Sequence, residues 1–229
     1  MTVLLLGGGE WNPAASEVDG SVLRAGMTVA LIAAAAAFED QAAREAYAIE
    51  HFRARDMQAI AVPVMAHHDA MSAVASSVID SADAVYVGDG SAMHLRSVLR
   101  NSLVWQAVET AHGSGKPVVA SGAGAEVVCD PMVDPRGGGF TVGLGLVTGL
   151  SVIAAAESWS SEKTRRCAEL APADLPIAAL PTGAAVLVTN AGPPWTTYGN
   201  VTWWLAGRHE VLTGGPESSR FGSGLADRH

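Results

Sequence analysis

The residues able to do chemistry fall in short glycine-punctuated segments that follow apolar runs. These are Gly7-Gly8-Gly9-Glu10, Ala66-His67-His68-Asp69, Gly88-Asp89-Gly90-Ser91 and Ser121-Gly122-Ala123-Gly124-Ala125. A serine beside a histidine supports nucleophilic attack with general-base help, which makes Ser121, His67 and His68 the catalytic candidates. Glu10 and Asp89 are placed to line a pocket as carboxylates, with Ser121 beside them; helix or turn capping is the competing role for each acid. His67-His68-Asp69 could start a metal site only with a third ligand, for which Asp89 is the one nearby suggestion. A helix N-cap at Asp69 with two polar loop histidines accounts for that group more simply, and neither metal nor cofactor is expected. Gly7-Gly8-Gly9 lacks the G-x-G-x-x-G spacing of a dinucleotide site, and no Walker-type lysine follows it. Cys129 lies seven residues beyond Gly122, about 10 Å along a helix, and reads as a core or helix-end thiol.

Those segments need a scaffold that brings them to one edge. Val3–Leu6, Thr28–Ile32, Ala59–Val64, Ala84–Val87 and Pro117–Ala120 are almost continuously apolar, as strands buried on both faces must be. Asp40–Ala54, Ala70–Ser81, Ala92–Arg100 and Leu103–His112 lie between them and are rich in helix formers. The alternation predicts an α/β fold with a mostly parallel, doubly wound sheet flanked by helices, and ligands bind beyond the carboxyl ends of such strands. Leu175–Leu180, Ala184–Val188, Val201–Leu205 and Glu210–Leu212 are shorter and separated by Pro, Gly and Asn, which predicts antiparallel strands near the C-terminus. Asp130–Gly139 reads as a loop. A single domain over 1–213 is expected, with a flexible tail over 214–229, where apolar periodicity ceases.

Composition narrows the partners. The 229-residue chain carries a formal charge of -9, and its basic residues are scattered, which argues against nucleic acid. The longest apolar runs, Met27–Phe38 and Val142–Ala156, fall short of the roughly 18–20 residues a membrane span requires, so no membrane partner is expected. Two cysteines in a chain of this size fit a reducing cytoplasm. The Trp203-Trp204 pair would place one ring in the core and one outside if its segment is a strand, which makes a homodimer a candidate assembly.

Several segments occur in a telling order. Asp83-Ala84-Val85-Tyr86-Val87-Gly88-Asp89-Gly90 reads as a strand and Gly-rich turn, with Leu95 and Leu99 on the helix beyond. Lys116-Pro117-Val118-Val119-Ala120-Ser121-Gly122-Ala123-Gly124-Ala125 reads as a strand and elbow. Gly143-Leu144-Gly145-Leu146 with Gly149, and Leu180–Val188, follow in turn. With Gly7-Gly8-Gly9-Glu10 in front, this order resembles the cyanophycinase and dipeptidase E family of serine peptidases, over roughly residues 3 to 212. The resemblance implies a fold related to the class I glutamine amidotransferases. It also implies serine–histidine chemistry, with oxyanion donors at Gly88 or Asp89 and at Ala123. The family's nucleophile position falls on Gly122, however, and its histidine position on Ala155 or a neighbour. Asp134 matches the third member by its place, but an acid with no histidine to orient has no catalytic role, and a turn aspartate is the plainer reading.

The leading expectation is therefore a catalytically degenerate homologue with a pocket for a small carboxylate or acidic peptide. An active peptidase for small aspartyl peptides with Ser121 as relocated nucleophile is the first alternative. A non-catalytic interaction or structural subunit is the second.

Overall fold

The computed structural model describes residues 1–189 and 193–205, together with the backbone of 208–221. Five strands form its parallel part: β1 (Thr2–Leu6), β2 (Thr28–Ile32), β3 (Gln58–Ala61), β4 (Ala84–Val87) and β5 (Val118–Ser121). Five more complete one ten-stranded sheet: β6 (Ser151–Ala154), β7 (Ile177–Leu180), β8 (Ala185–Thr189), β9 (Trp195–Leu205) and β10 (Arg208–Phe221). The order is β6-β7-β9-β8-β1-β5-β4-β2-β3, with β10 paired to β9. β1, β5, β4, β2 and β3 run parallel, whereas β8 joins β1, and β9 joins β8, β7 and β10, antiparallel. This is the mostly parallel sheet with late antiparallel strands that the sequence predicts.

Side-chain alternation divides the core between the two faces. Leu5, Val85, Val87 and Ala120 pack into one cluster, and their chain neighbours Leu4, Leu6, Tyr86 and Val119 pack into another. The first cluster is covered by α4 (Ala73–Ser81), α5 (Ala92–Leu99), α6 (Leu103–Gly113) and α7 (Ala123–Val127); the second by α1 (Pro13–Asp19) and α2 (Gln41–Arg53). Short polar side chains start these helices. Asn12, Asp40, Ser72, Ser91 and Ser102 each accept the backbone N–H three residues on.

The differences from the sequence reading have local causes. The expected helix over 70–81 is interrupted: α3 (His67–Ala70) ends before the Ser72 cap starts α4. β10 runs through Phe221, and its pairing of Ser219–Phe221 with Trp195–Thr197 is through the main chain, which needs no apolar periodicity. Residues 222–229 of the expected flexible tail lie outside the described residues. Trp203 is buried and stacks on Trp195 with ring centroids 5.5 Å apart, while Trp204 is half-buried against a third cluster around Ile153 and Cys167. Among the described residues, no helix is long and apolar enough to cross a membrane.

Candidate functional site

Segments distant in sequence meet around Gly7–Gly9, at the end of β1. Gly7 N–H donates to Ala184 O (2.9 Å), Ala155 N–H to Gly7 O (2.7 Å) and Gly183 N–H to Gly8 O (3.2 Å). An ideal Cβ on Gly7 would lie 2.2 Å from Pro181 O, so the backbone approach itself requires glycine there. Glu157 closes the rim on this side by accepting both the N–H and the hydroxyl of Thr182. β4 and β5 bring the other wall, Gly88–Gly90 and the elbow at Gly122.

The elbow keeps a backbone that L-residues resist. Gly122 has φ 54° and ψ -118°, and its N–H donates to Leu6 O at 3.0 Å. The space a side chain would use at Gly122 is filled by Asp89. An ideal Cβ on Gly122 would lie 2.0 Å from both Cγ and Oδ1 of Asp89. Asp89 Oδ1 accepts Ala123 N–H at 2.8 Å and Gly90 N–H at 2.7 Å. The expected oxyanion donors are all engaged within the protein: Ala123 N–H is bonded to Asp89, Asp89 N–H to Glu10 Oε2 at 3.0 Å and Gly88 N–H to Ile32 O at 2.9 Å.

Glu10 is the buried partner in this arrangement. Its side chain is 5% exposed, and Oε1 accepts from Arg44 Nη1 at 2.7 Å. Arg44 comes from α2 and holds Glu39 with its other nitrogen. Burial pushes the Glu10 carboxyl up to about 7; the Arg44 guanidinium opposes that rise and the Asp89 charge adds to it. Glu126, on α7, accepts Ala154 N–H at 3.2 Å and so ties the elbow helix to the end of β6. Burial, with a smaller contribution from Asp89, pushes its carboxyl up to about 8, which leaves it mostly protonated at neutral pH.

The remaining candidates stand elsewhere. Ser121 is 0% exposed and shares a sheet face with Val119 and Tyr86, opposite to Ala120. His67 Nδ1–H donates to Val98 O at 2.8 Å, while the side chain of His68 is 84% exposed beside Asp69. No hydrogen bond among the described residues joins either histidine to Ser121. Asp69 is the third residue of α3 and reaches back to accept the N–H groups of Met65 and Ala66, so it caps from inside the helix and not as its N-cap. Cys129 is buried and donates to Ala125 O, with burial pushing its thiol up. Asp134 folds onto Arg136 in a turn. Ala155 occupies the expected histidine position in a left-handed conformation, φ 44° and ψ 47°. Among the described residues no group of three His, Cys, Asp or Glu side chains is arranged to hold a metal.

The sequence reading missed Arg44 and Glu126. Arg44 left no signal in a helix with several charges. Glu126 did leave one: it is the only acid in the apolar stretch from Ala123 to Cys129.

Fold and elbow together define an α/β protein of the kind that presents a strand-to-helix turn at a sheet edge. The sequence model of Peptidase family S51 matches residues 3–191, and the chain belongs to that family. A peptidase crystal structure from an acI-B1 Actinobacterium superposes with a TM-score of 0.82 at 21% identity, covering 96% of each chain. A putative peptidase E protein from Listeria monocytogenes EGD-e superposes at 0.65 with 14% identity, over 86% of this chain and 96% of that one. At these identities the likeness is one of fold. No curated protein matches the chain.

Proposed function

We propose that this chain is a non-hydrolysing member of its peptidase family, and that its strand-end site holds a small ligand or peptide without cleaving it. The observation that carries the reading is Asp89 in the space of a Gly122 side chain, with Oδ1 on Ala123 N–H. Three requirements of serine acyl transfer fail together at this place. Gly122 has no hydroxyl, Ala155 has no base, and the donor needed by a developing oxyanion is already engaged. The expected ligand, a small carboxylate or acidic peptide, competes with Asp89 for that donor and reaches it only by displacing the side chain.

Burial disfavours the relocated-nucleophile alternative, because a substrate carbonyl cannot approach Ser121 while that residue is 0% exposed. The test is amino-acid release from α-aspartyl dipeptides and β-aspartyl-arginine, together with labelling by a serine-directed fluorophosphonate. Neither release nor labelling is expected from the purified protein. Turnover that disappears in Ser121→Ala would replace this reading with an active serine peptidase.

A further inference from the structure

The edge that carries the site does not end at Asp89. β4 lies between β5 and β2 in the sheet, with β3 beyond β2. The elbow at Gly122 therefore flanks Asp89 on one side, and the segments leaving β2 and β3 flank it on the other. Those segments hold two large apolar side chains in water: Phe38 is 79% exposed and Met65 is 53% exposed. Solitary exposed apolar residues need no explanation, but these two are fixed to one another. His94, on α5, meets Phe38 edge-on with ring centroids 4.5 Å apart, and its Nε2–H donates to Met65 O at 2.8 Å. Gln41 Nε2 donates to Val64 O at 3.2 Å and ties the two segments a second time.

A short run of bonds leads from this ledge back to the carboxylate. His94 N–H donates to the Ser91 hydroxyl at 3.4 Å, Ser91 N–H donates to Ala35 O at 2.8 Å, and the adjoining Gly90 N–H donates to Asp89 Oδ1. Gly90 approaches the turn at Ala34–Ala36 so closely that an ideal Cβ would stand 2.4 Å from Ala35 O. The chain from Asp89 to His94 and the chain from Ala35 to Phe38 are thus locked together, and ledge and site form one continuous edge.

Neighbouring strands are about 4.8 Å apart, so the ends of β2 and β3 lie about 5 and 10 Å across the edge from that of β4. Two residues of extended chain cover about 7 Å. A small carboxylate held at Asp89 and Ala123 N–H falls short of the ledge, whereas a dipeptide reaches it. We propose that the ligand is a short peptide whose acidic residue engages Asp89 and Ala123 N–H, and whose neighbouring side chain, apolar or aromatic, lies on Phe38 and Met65. The proposal rests on the ligand-holding reading of the site and narrows it to peptides. A phenyl ring offers apolar area with a preferred edge or face, and a thioether adapts to the shape set against it, so the ledge selects apolar character more than one particular residue.

Isothermal titration of the full chain with L-aspartyl-L-phenylalanine and L-aspartyl-glycine tests it. The phenylalanyl dipeptide should bind about tenfold more tightly. Phe38→Ser and Met65→Ser change exposed side chains that the core does not need; each should narrow that preference, and together they should bring it within about twofold. Leu170→Ser, at a position 52% exposed on the helix Ser161–Leu170, should keep the full preference. Equal affinity for the two dipeptides, or a preference that survives in the Phe38→Ser, Met65→Ser double variant, overturns the ledge and leaves the ligand-holding reading intact. Binding of neither dipeptide overturns that reading and the peptide assignment with it. Release of free phenylalanine with the preference intact would overturn the non-hydrolysing reading alone, the ledge then serving a substrate.

Discussion

Gly122 and Ala155 both hold backbone conformations that side chains resist, and they differ in what they cost. Gly122 adopts φ 54° freely, whereas Ala155 is an alanine at φ 44° and ψ 47°. Ala155→Gly should therefore stabilise the protein by about 0.5–1 kcal/mol at that conformation, read as a higher urea midpoint with unchanged slope; a lower midpoint would mean that the Ala155 methyl packs usefully. Gly122→Ser should act oppositely. Its Cβ would lie 2.0 Å from the Asp89 carboxyl, so Asp89 must leave Ala123 N–H. A loss of about 2–4 kcal/mol is expected, and Asp89→Gly in the same chain should recover about 1–3 kcal/mol of it. A double-mutant cycle with no coupling would show that the two positions do not share the space.

At the scale of elements, three buried carboxylates link helices to the sheet and give stability a defined pH dependence. Glu10 joins the β1 end to α2, Asp19 joins α1 to Arg55, and Glu126 joins α7 to β6. Burial raises their pKa values to about 7, about 6 and about 8. A carboxyl whose folded pKa is raised favours the fold while it is protonated in both states, and that contribution is lost as pH climbs from the ordinary carboxyl range through the folded value. Stability should accordingly fall between pH 5 and pH 8, by up to about 7 kcal/mol in total. Asp69 and Asp134, whose pKa values are lowered by backbone donors and by Arg136 respectively, act in the other direction and weaken the fold only as pH drops through the acid range. Glu126→Gln keeps an acceptor for Ala154 N–H but removes the largest titration. It should be more stable than the parent at pH 8 and should flatten the profile in thermal melts at pH 5, 6.5 and 8. An unchanged slope would assign the dependence to other groups.

For the molecule as a whole, the sheet was far more legible in the sequence than the site. Strands buried on both faces leave continuous apolar runs such as Val3–Leu6 and Ala84–Val87, whereas of β10 only Glu210–Leu212 reads as a strand and the rest pairs through its backbone without such a run. Gly122 and Ala155 could be placed by their order along the chain. The role of Asp89 could not, because it depends on β4 and β5 lying side by side, which brings residues 33 apart into the same few ångströms. The sheet that produces this contact also determines how the chain should unfold. Neighbouring residues of β1, β4 and β5 enter opposite clusters, so neither cluster can disperse without breaking strands that serve the other. Trp11 reports on one cluster and Trp105 and Trp203 on the other. Tryptophan fluorescence and far-UV circular dichroism should therefore trace a single coincident urea transition at pH 6, and Trp11→Phe should shift its midpoint without splitting it. Separate transitions for the two probes would mean that the α1 and α2 face opens on its own, and the Glu10 clamp on Asp89 would then open with it.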